Sequence, residues 1–145
     1  MRFPAPVPGL VIRYSYLWLQ EHLKGLDEGV KDRPCAVILV TTDQDGDQVV
    51  TVLPITHVPP STNMPTLEIP RQIKVRLGLD DERSWIVLAE VNRFIWPGPD
   101  VRPAVRGTTS SIACGQLPVG FFAEVLARFL EVYDSGHSSI IPRTE

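Results

Sequence analysis

The sequence has little cysteine, little histidine and no clustering of either, and this scarcity excludes several classes of protein. Its 145 residues contain two cysteines, Cys35 and Cys114, which lie far apart along the chain. Two isolated cysteines do not make a zinc site, and cytoplasmic thiols usually stay reduced, so we expect neither a zinc site nor a disulfide. The three histidines are also widely separated and lack the spacing of metal ligands. We therefore expect no metal and no cofactor.

Long apolar segments are absent as well. The longest uninterrupted apolar run, Cys35–Val40, is far shorter than the roughly 20 residues of a membrane span. At the N-terminus, Pro4, Pro6, Pro8 and Arg13 interrupt the continuous apolar core that a secretory signal needs. The sequence thus predicts no membrane association and a cytoplasmic location.

The chain also lacks an excess of positive charge. With 14 Lys and Arg against 17 Asp and Glu, its formal net charge is -3, which excludes general nucleic-acid binding through bulk charge. A local basic groove is an alternative, because Arg71, Lys74 and Arg76 cluster in sequence, and Arg102 and Arg106 follow in a later loop. Solvated surface charge is the favoured interpretation of both groups.

What is present indicates one soluble domain. Hydrophobic residues make up 43% of the chain, and its 14 prolines predict short elements and many turns. We expect a single domain over residues 1–145, with a core over about residues 8–134. The composition of residues 135–145 predicts a flexible tail.

Apolar and β-branched segments predict a mainly β (α+β) fold. The expected strands are Leu10–Leu19, Cys35–Thr41, Val49–Leu53, Thr66–Ile69 and Ser84–Phe94. Cys35–Thr41 is apolar throughout and is predicted to be buried on both faces. The acidic segment Asp43–Asp47 contains Gly46 and predicts a hairpin turn, and Pro54 is predicted to end the second strand of that hairpin.

The remaining segments predict loops and helices. Gln20–Asp32 is predicted to be a flexible loop, His57–Pro65 an irregular loop and Pro97–Pro103 a rigid loop, while Ile73–Leu79 favours a helical turn. The strongest helix signal covers Phe121–Tyr133. Its apolar residues recur every three or four positions and predict one wide stripe that covers the sheet. The whole indicates a small, strongly bent antiparallel sheet or barrel closed by a C-terminal helix.

Common catalytic motifs are missing. The chain has no phosphate-binding glycine loop, no dinucleotide fingerprint, no His-Glu-x-x-His helix and no Gly-x-Ser-x-Gly elbow. Catalysis would therefore use arginine, threonine, histidine or carboxylate groups. This set suits transfer at phosphorus, since arginine binds phosphate bidentately while imidazole or carboxylate moves protons.

Three places hold such residues at the ends of predicted elements. Glu28 and Arg33 precede the buried strand, Thr56 and His57 follow the next strand, and Glu90 lies in the Ser84–Phe94 strand. The predicted hairpin brings the first two places to the same open end. Each has a structural alternative: a strand start at Arg33, a turn cap at Thr56 and a surface ion pair at Glu90.

The order of these motifs resembles the PemK/MazF-type toxin family. The resemblance rests on Pro8-Gly9-Leu10-Val11, Glu28 five residues before Arg33-Pro34, the strand Cys35–Val40, and Leu53-Pro54-Ile55-Thr56. It continues through a later strand with an acidic residue to a C-terminal helix, and covers about residues 8–134.

The resemblance implies a small SH3-like β-barrel of the CcdB/PemK type, assembled as a homodimer. It also implies a growth inhibitor, a metal-independent endoribonuclease that cuts single-stranded RNA and is blocked by an antitoxin protein. In the family, the arginine of Arg-Pro and the threonine of Pro-x-Thr line the active site, which points to Arg33 and Thr56. The family's loop glutamate falls on Glu28, and an acidic residue proposed as the base in one branch falls on Glu90.

The chain departs from that branch at three positions. Leu88 stands where the branch has an arginine, Asp27 replaces its loop histidine, and His57 stands where serine is common. His57 is a candidate for proton transfer, because imidazole changes charge near neutral pH; an exposed loop histidine is the alternative. In the expected mechanism, Glu90, Glu28 or His57 deprotonates a ribose 2′-hydroxyl, and Arg33 and Thr56 stabilise the phosphorane.

Three tryptophans extend this expectation. Trp18, Trp85 or Trp96 would stack on an unpaired base, although core packing is favoured for each. Two other classes of function stay open. One is a non-catalytic member of the same fold that binds protein or nucleic acid. The other is a small-barrel adaptor that uses the apolar helix face as a docking surface.

Overall fold

The computed structural model describes residues 3–26, 29, 31–105 and 111–143. Within these residues, nine strands form one sheet and three helices accompany it, which confirms a mainly β fold with a helix near the C-terminus. In chain order the elements are β1 (Leu10–Tyr14), α1 (Leu19–Leu23), β2 (Arg33–Thr42), β3 (Gln48–Thr56), β4 (Thr66–Glu68), α2 (Arg71–Arg76), β5 (Trp85–Val87), β6 (Glu90–Ile95), β7 (Val101–Arg102), β8 (Ala113–Gln116), α3 (Val119–Asp134) and β9 (Ser139–Pro142).

The sheet is organised around β3. On one side β3 pairs with β2, and on the other side it pairs with both β6 and β5. The order β4-β5-β3-β2-β1-β7 is extended by β8 on β1 and by β9 on β6. The pairs are antiparallel except for β6 with β9. No strand pair in the described part of the chain closes this sheet into a barrel.

Hydrophobic cores lie on both faces of the sheet, as the alternation of side chains along a strand requires. A helix-side core contains Val11 and Ala36 and is covered by Val125 and Phe129 of α3. A tyrosine-side core contains the neighbouring strand residues, such as Cys35, together with two tyrosines. Burial on both faces is confirmed for residues 35–38 of β2, whereas the following residue, Leu39, is 50% exposed.

The hairpin of β2 and β3 has the predicted turn but a longer second strand. The Asp43 N–H donates to the Asp47 carbonyl at 2.9 Å, and Gly46 takes a φ of 85° that favours glycine. The prediction that Pro54 ends the strand is wrong, because β3 continues to Thr56. Pro54 lies between the residues of β3 that pair with β6 and those that pair with β5, so its missing N–H interrupts neither pairing.

Two other predicted boundaries are also wrong. The segment Ser84–Phe94 is divided into β5 and β6, since the Leu88 N–H donates to the Pro65 carbonyl and the Ala89 carbonyl accepts from the Ser139 N–H. The strand predicted to run to Leu19 ends at Tyr14, and α1 begins in its place. These local departures follow from hydrogen bonds to distant segments.

The segment after α3 is ordered, and a flexible tail is the wrong prediction for residues 139–143. Ser139–Pro142 forms β9 against β6, Ile141 is buried in the core, and Arg143 is 6% exposed. The helix itself is confirmed at Val119–Asp134. None of the helices in the described ranges is long and apolar enough to cross a membrane.

Candidate functional site

The hairpin brings Arg33 and Thr56 to its open end, as the sequence predicts. In the register of β2 and β3, Cys35 faces Pro54, and Arg33 and Thr56 lie two residues further along their strands. Because side chains alternate along a strand, Arg33 projects from the same face as Cys35 and Thr56 from the same face as Pro54. His57 follows Thr56 at the end of β3, so the three candidates occupy one edge of the molecule.

Two clefts open at this edge. The first cleft, about 480 Å³ in volume, includes Arg13, Lys31, Arg33, His57, Asp80 and Cys114 in its lining. The second cleft, about 390 Å³, includes Trp18, Thr56, Val58, Pro59, Pro60 and Met64. Lys31, Arg33 and His57 line both clefts. The clefts therefore share a rim that carries two cations and an imidazole.

Arg33 is held against an aromatic ring at this rim. Its guanidinium carbon lies 4.9 Å from the centre of the Trp18 ring, a distance typical of a cation–π contact. Its Nε atom is buried and has no hydrogen-bond partner. Among the described residues, Arg33 also takes part in no ion pair. The side chain is thus positioned by Trp18 and keeps donors for an anion.

His57 is held by carboxylates. Its Nε2 atom lies 2.8 Å from Oδ2 of Asp80, and its Nδ1 atom lies 3.5 Å from Oε2 of Glu82. The other oxygen of Asp80 accepts hydrogen bonds from Lys74 Nζ at 3.0 Å and from the Glu82 N–H at 3.1 Å. Such a contact orients the imidazole ring and stabilises positive charge on it during proton transfer.

The charge of Asp80 is secured by its neighbours. Burial on its own raises the pKa of Asp80, but the hydrogen bond from Lys74 and the proximity of His57 outweigh it and lower the pKa overall. Lys74 is buried at 3% exposure, so the prediction of solvated surface charge is wrong for this residue. The ion pair with Lys74 therefore holds the Asp80 carboxylate in a fixed position next to His57.

His57, Asp80 and Glu82 also have the composition of a metal site. One donor atom from each lies within 4.8 Å of the others, and all three residues are exposed. A cation bound there would compete with the Lys74 ammonium for the charge of Asp80 and would occupy a nitrogen of His57. The contact between His57 and Asp80 is also the one that orients the imidazole for proton transfer.

Thr56 has the structural role that the sequence left open, and it also faces a cleft. Its Oγ1 accepts a hydrogen bond from the Val58 N–H at 3.1 Å, which caps the turn into the following loop. Thr56 is 9% exposed and lines the second cleft. Its hydroxyl proton is available to donate to a bound group.

Glu90 is placed apart from these residues, and it is not among the described residues that line either cleft. Its Oε1 accepts hydrogen bonds from the Tyr16 O–H at 3.1 Å and from the Leu19 N–H at 3.0 Å. Burial raises the pKa of Glu90, although these two hydrogen bonds oppose the shift. Glu90 thus anchors the segment that carries Trp18. Glu28 and Asp27 lie outside the described residues.

Some residues of the site were not expected from the sequence. Asp80, Lys31 and Arg13 were missed, since His57 and Asp80 belong to different loops and no short spacing connects them. The acidic segment 80–82 after Gly78 is the one local signal. Of the tryptophans, Trp85 is buried, and Trp96 and Trp18 both pack against the tyrosine-side core. Trp18 also lines the second cleft.

Comparison of the chain with models of protein families found no match, and comparison with curated proteins found none.

Proposed function

We propose that this chain is a PemK/MazF-like endoribonuclease that cleaves single-stranded RNA at the shared rim of the two clefts. The observation that carries the proposal is that Arg33 and His57 both line this rim while Asp80 orients the imidazole. An anion-binding guanidinium beside an oriented imidazole is the minimal set for phosphodiester chemistry without a nucleophilic side chain.

The electrostatics of the first cleft support an anionic substrate. Arg13, Lys31 and Arg33 line it, and among the described residues none of these three takes part in an ion pair. Charged donors of this kind bind phosphate through charge-assisted hydrogen bonds. Asp32 and Asp80 line the cleft as well, but each is in an ion pair with another cation, Arg102 and Lys74 respectively, which leaves the three lining cations for an anionic ligand.

The proposed step is an internal transfer. The ribose 2′-oxygen forms a bond to phosphorus as its proton passes to His57, and the bond from phosphorus to the 5′-oxygen breaks. The leaving 5′-oxygen takes up a proton from water, the His57 imidazolium releases its proton to solvent, and the products carry a 2′,3′-cyclic phosphate and a 5′-hydroxyl. Arg33 and the Thr56 hydroxyl donate to the phosphorane oxygens, where charge develops. His57 is the base in this proposal because Glu90 lies away from the clefts.

The proposal includes the assembly that the family resemblance implies. In this assembly the sheet closes into a barrel, two copies of the chain form a homodimer, and an antitoxin covers the clefts. The toxin would then act by cutting RNA until the antitoxin occupies the rim.

A binding-only relative is the second candidate, and one observation favours it. Leu88 is buried in the helix-side core and Glu90 is held by Tyr16 and Leu19, so the arginine–acid pair of the related branch has no counterpart here. Such a protein would bind RNA at the same cations without cutting it.

Cleavage of a long, mostly unstructured RNA by purified wild type and by Arg33→Ala tests the proposal. Removing one transition-state donor is expected to lower the rate by about 100-fold or more. Arg93→Ala is the matched control, because Arg93 is exposed on β6 and lines neither cleft. Equal cutting by wild type and Arg33→Ala would contradict the proposal, and RNA binding without cutting would favour the second candidate.

A melting curve separates chemistry from folding in this test. Arg33→Ala should leave the melting temperature nearly unchanged, because Arg33 is half-buried at a strand end and takes part in no ion pair among the described residues. A large fall in melting temperature would instead assign Arg33 a structural role.

A further inference from the structure

We propose that the second cleft is a nucleobase subsite, which takes one unpaired base of an RNA whose phosphate lies in the first cleft. This inference rests on the proposed function and specifies how the same site holds its substrate. It rests on the chemistry of the lining and on the residues that the two clefts share.

The lining of the second cleft is apolar although much of it is exposed. Val58 is 69% exposed and Met64 is 43% exposed, and Pro59 and Pro60 lie between them in the loop. Isolated exposed apolar residues are ordinary, but a group of them around one concavity is typical of a binding site. The apolar part of a ligand would cover this surface.

Two local hydrogen bonds order the loop that carries these residues. The Val58 N–H donates to Thr56 Oγ1 at 3.1 Å, and the Met64 N–H donates to the Ser61 carbonyl at 3.1 Å. The prolines restrict the backbone further. A surface that is already ordered loses little conformational entropy when a ligand binds.

Trp18 indicates that the ligand is flat. Trp18 lines the second cleft, and the guanidinium carbon of Arg33 lies over its indole ring, 4.9 Å from the ring centre. Tyr16 supports it from the side with an edge contact whose centroid distance is 5.1 Å. Proteins bind unpaired bases by stacking them on such rings and on arginine planes.

The shared rim decides between a nucleotide and an apolar peptide. Lys31, Arg33 and His57 line both clefts, so a ligand in the second cleft ends beside two cations. A nucleotide joins a flat base to a phosphate and suits this arrangement, whereas an apolar peptide would leave the cations without a partner. The hydroxyls of Thr56 and Thr66 also line the cleft and would meet the polar edge of a base.

The test compares two probes, a short single-stranded oligonucleotide and an abasic oligonucleotide of the same length. Both carry 2′-fluoro sugars, because the proposed cleavage needs a 2′-hydroxyl and the probes must stay intact. Binding is measured by fluorescence anisotropy at one fixed salt concentration, so that the phosphate contribution is constant. The wild type should bind the base-bearing probe about tenfold more tightly, as base stacking predicts.

The variant is the double substitution Val58→Ser with Met64→Ser, which removes exposed side chains and leaves the core intact. It should weaken binding of the base-bearing probe by about fivefold or more and leave the abasic probe unchanged within about twofold. Val119→Ser is the matched control, since Val119 is 88% exposed and lines neither cleft. Trp18→Phe, which keeps an aromatic ring, should weaken binding less than Trp18→Ala.

The outcomes separate the inference from the proposed function. Cleavage of RNA together with equal binding of both probes would overturn the subsite and leave the ribonuclease standing. Base-dependent binding without any cleavage would leave the subsite standing and overturn the ribonuclease. Failure of the wild type to bind either probe would overturn both. Unchanged RNA binding in the double variant, with loss of binding to an apolar peptide, would assign the second cleft to a protein partner instead.

Discussion

Lys74 is a charged side chain inside the protein, and its ion pair with Asp80 makes this placement tolerable. Its ammonium lies 3.0 Å from Oδ1 of Asp80, and the Lys74 side chain is 4% exposed against 48% for that of Asp80. Because Asp80 also contacts His57, one pair serves both the stability of the fold and the orientation of the imidazole.

Asp80→Asn should therefore lower the free energy of unfolding. Breaking a fully buried pair costs about 3–5 kcal/mol, and the half-exposed position of Asp80 reduces the expected loss to about 1–2 kcal/mol. Lys74→Met is the matched variant, since an apolar side chain of similar length leaves no buried charge and should cost less. Urea denaturation measures both. A smaller loss in Asp80→Asn than in Lys74→Met would contradict this account.

Glu90 gives the stability a pH dependence whose sign can be derived. Its raised pKa in the folded protein means that, at pH values between the unfolded pKa and the folded pKa, the folded state holds a proton that the unfolded state has lost. The stability contributed by this group is complete below the unfolded pKa and is lost as pH rises through the folded pKa. Glu90→Gln, which keeps an acceptor oxygen for Tyr16 and Leu19, removes this dependence.

The wild type should accordingly lose stability relative to Glu90→Gln as pH rises from about 4 to 7. Urea denaturation of both proteins at several pH values measures the difference, in which the contributions of other carboxylates cancel. Glu124→Gln, an exposed position on α3, is the control and should show no such trend. A difference that is constant with pH, or that changes in the opposite direction, would refute the assignment.

At the scale of elements, the buried residue Arg143, which directly follows β9, joins this strand to the rest of the fold. The guanidinium of Arg143 donates to the Ser15 carbonyl at 2.8 Å, to Oδ1 of Asn92 at 2.9 Å and to Oδ2 of Asp100 at 2.9 Å. These partners belong to three separated parts of the chain. The last strand therefore joins the fold through side-chain contacts as well as through its pairing with β6.

Arg143→Ala should lower the free energy of unfolding by about 3–5 kcal/mol, because it removes the cation that faces the buried Asp100 carboxylate and the donor to the Ser15 carbonyl, whereas Asn92 Oδ1 keeps its hydrogen bond from the Leu17 N–H. Arg128→Ala, at an exposed position on α3, should change it by less than about 0.5 kcal/mol. Chemical denaturation measures both values. A loss below about 1 kcal/mol in Arg143→Ala would show that β9 is held by its backbone pairing alone.

The sequence correctly predicts elements whose signals lie within a short window of the chain. Its predictions fail for elements whose boundaries depend on pairing with distant segments. The helix of α3 and the Asp43–Asp47 turn have their periodicity and turn residues within a short window. The extension of β3 through Pro54 and the strand β9 depend on partners far along the chain. Composition alone therefore predicts a flexible tail from Ser135 onward. In the fold, Ser139–Pro142 instead pairs in parallel with the edge of β6.

The same limit applies to the site at the scale of the whole molecule. The hairpin register is enough to bring Arg33 and Thr56 together, and this was predictable from two neighbouring strands. The contact of His57 with Asp80, and the cations shared by the clefts, depend on the packing of loops against that hairpin. The separation of Glu90 from the clefts follows from the irregular segment between β5 and β6.

The most direct test of the central claim is analysis of the RNA ends that the purified wild type leaves in excess EDTA. The account predicts cuts in unstructured RNA with 2′,3′-cyclic phosphate and 5′-hydroxyl ends, and no cuts at a single 2′-deoxy position. Cutting that requires an added divalent metal, or that leaves 5′-phosphate ends, would contradict the proposed chemistry of Arg33 and His57. So would the absence of cutting over a broad range of pH and protein concentration.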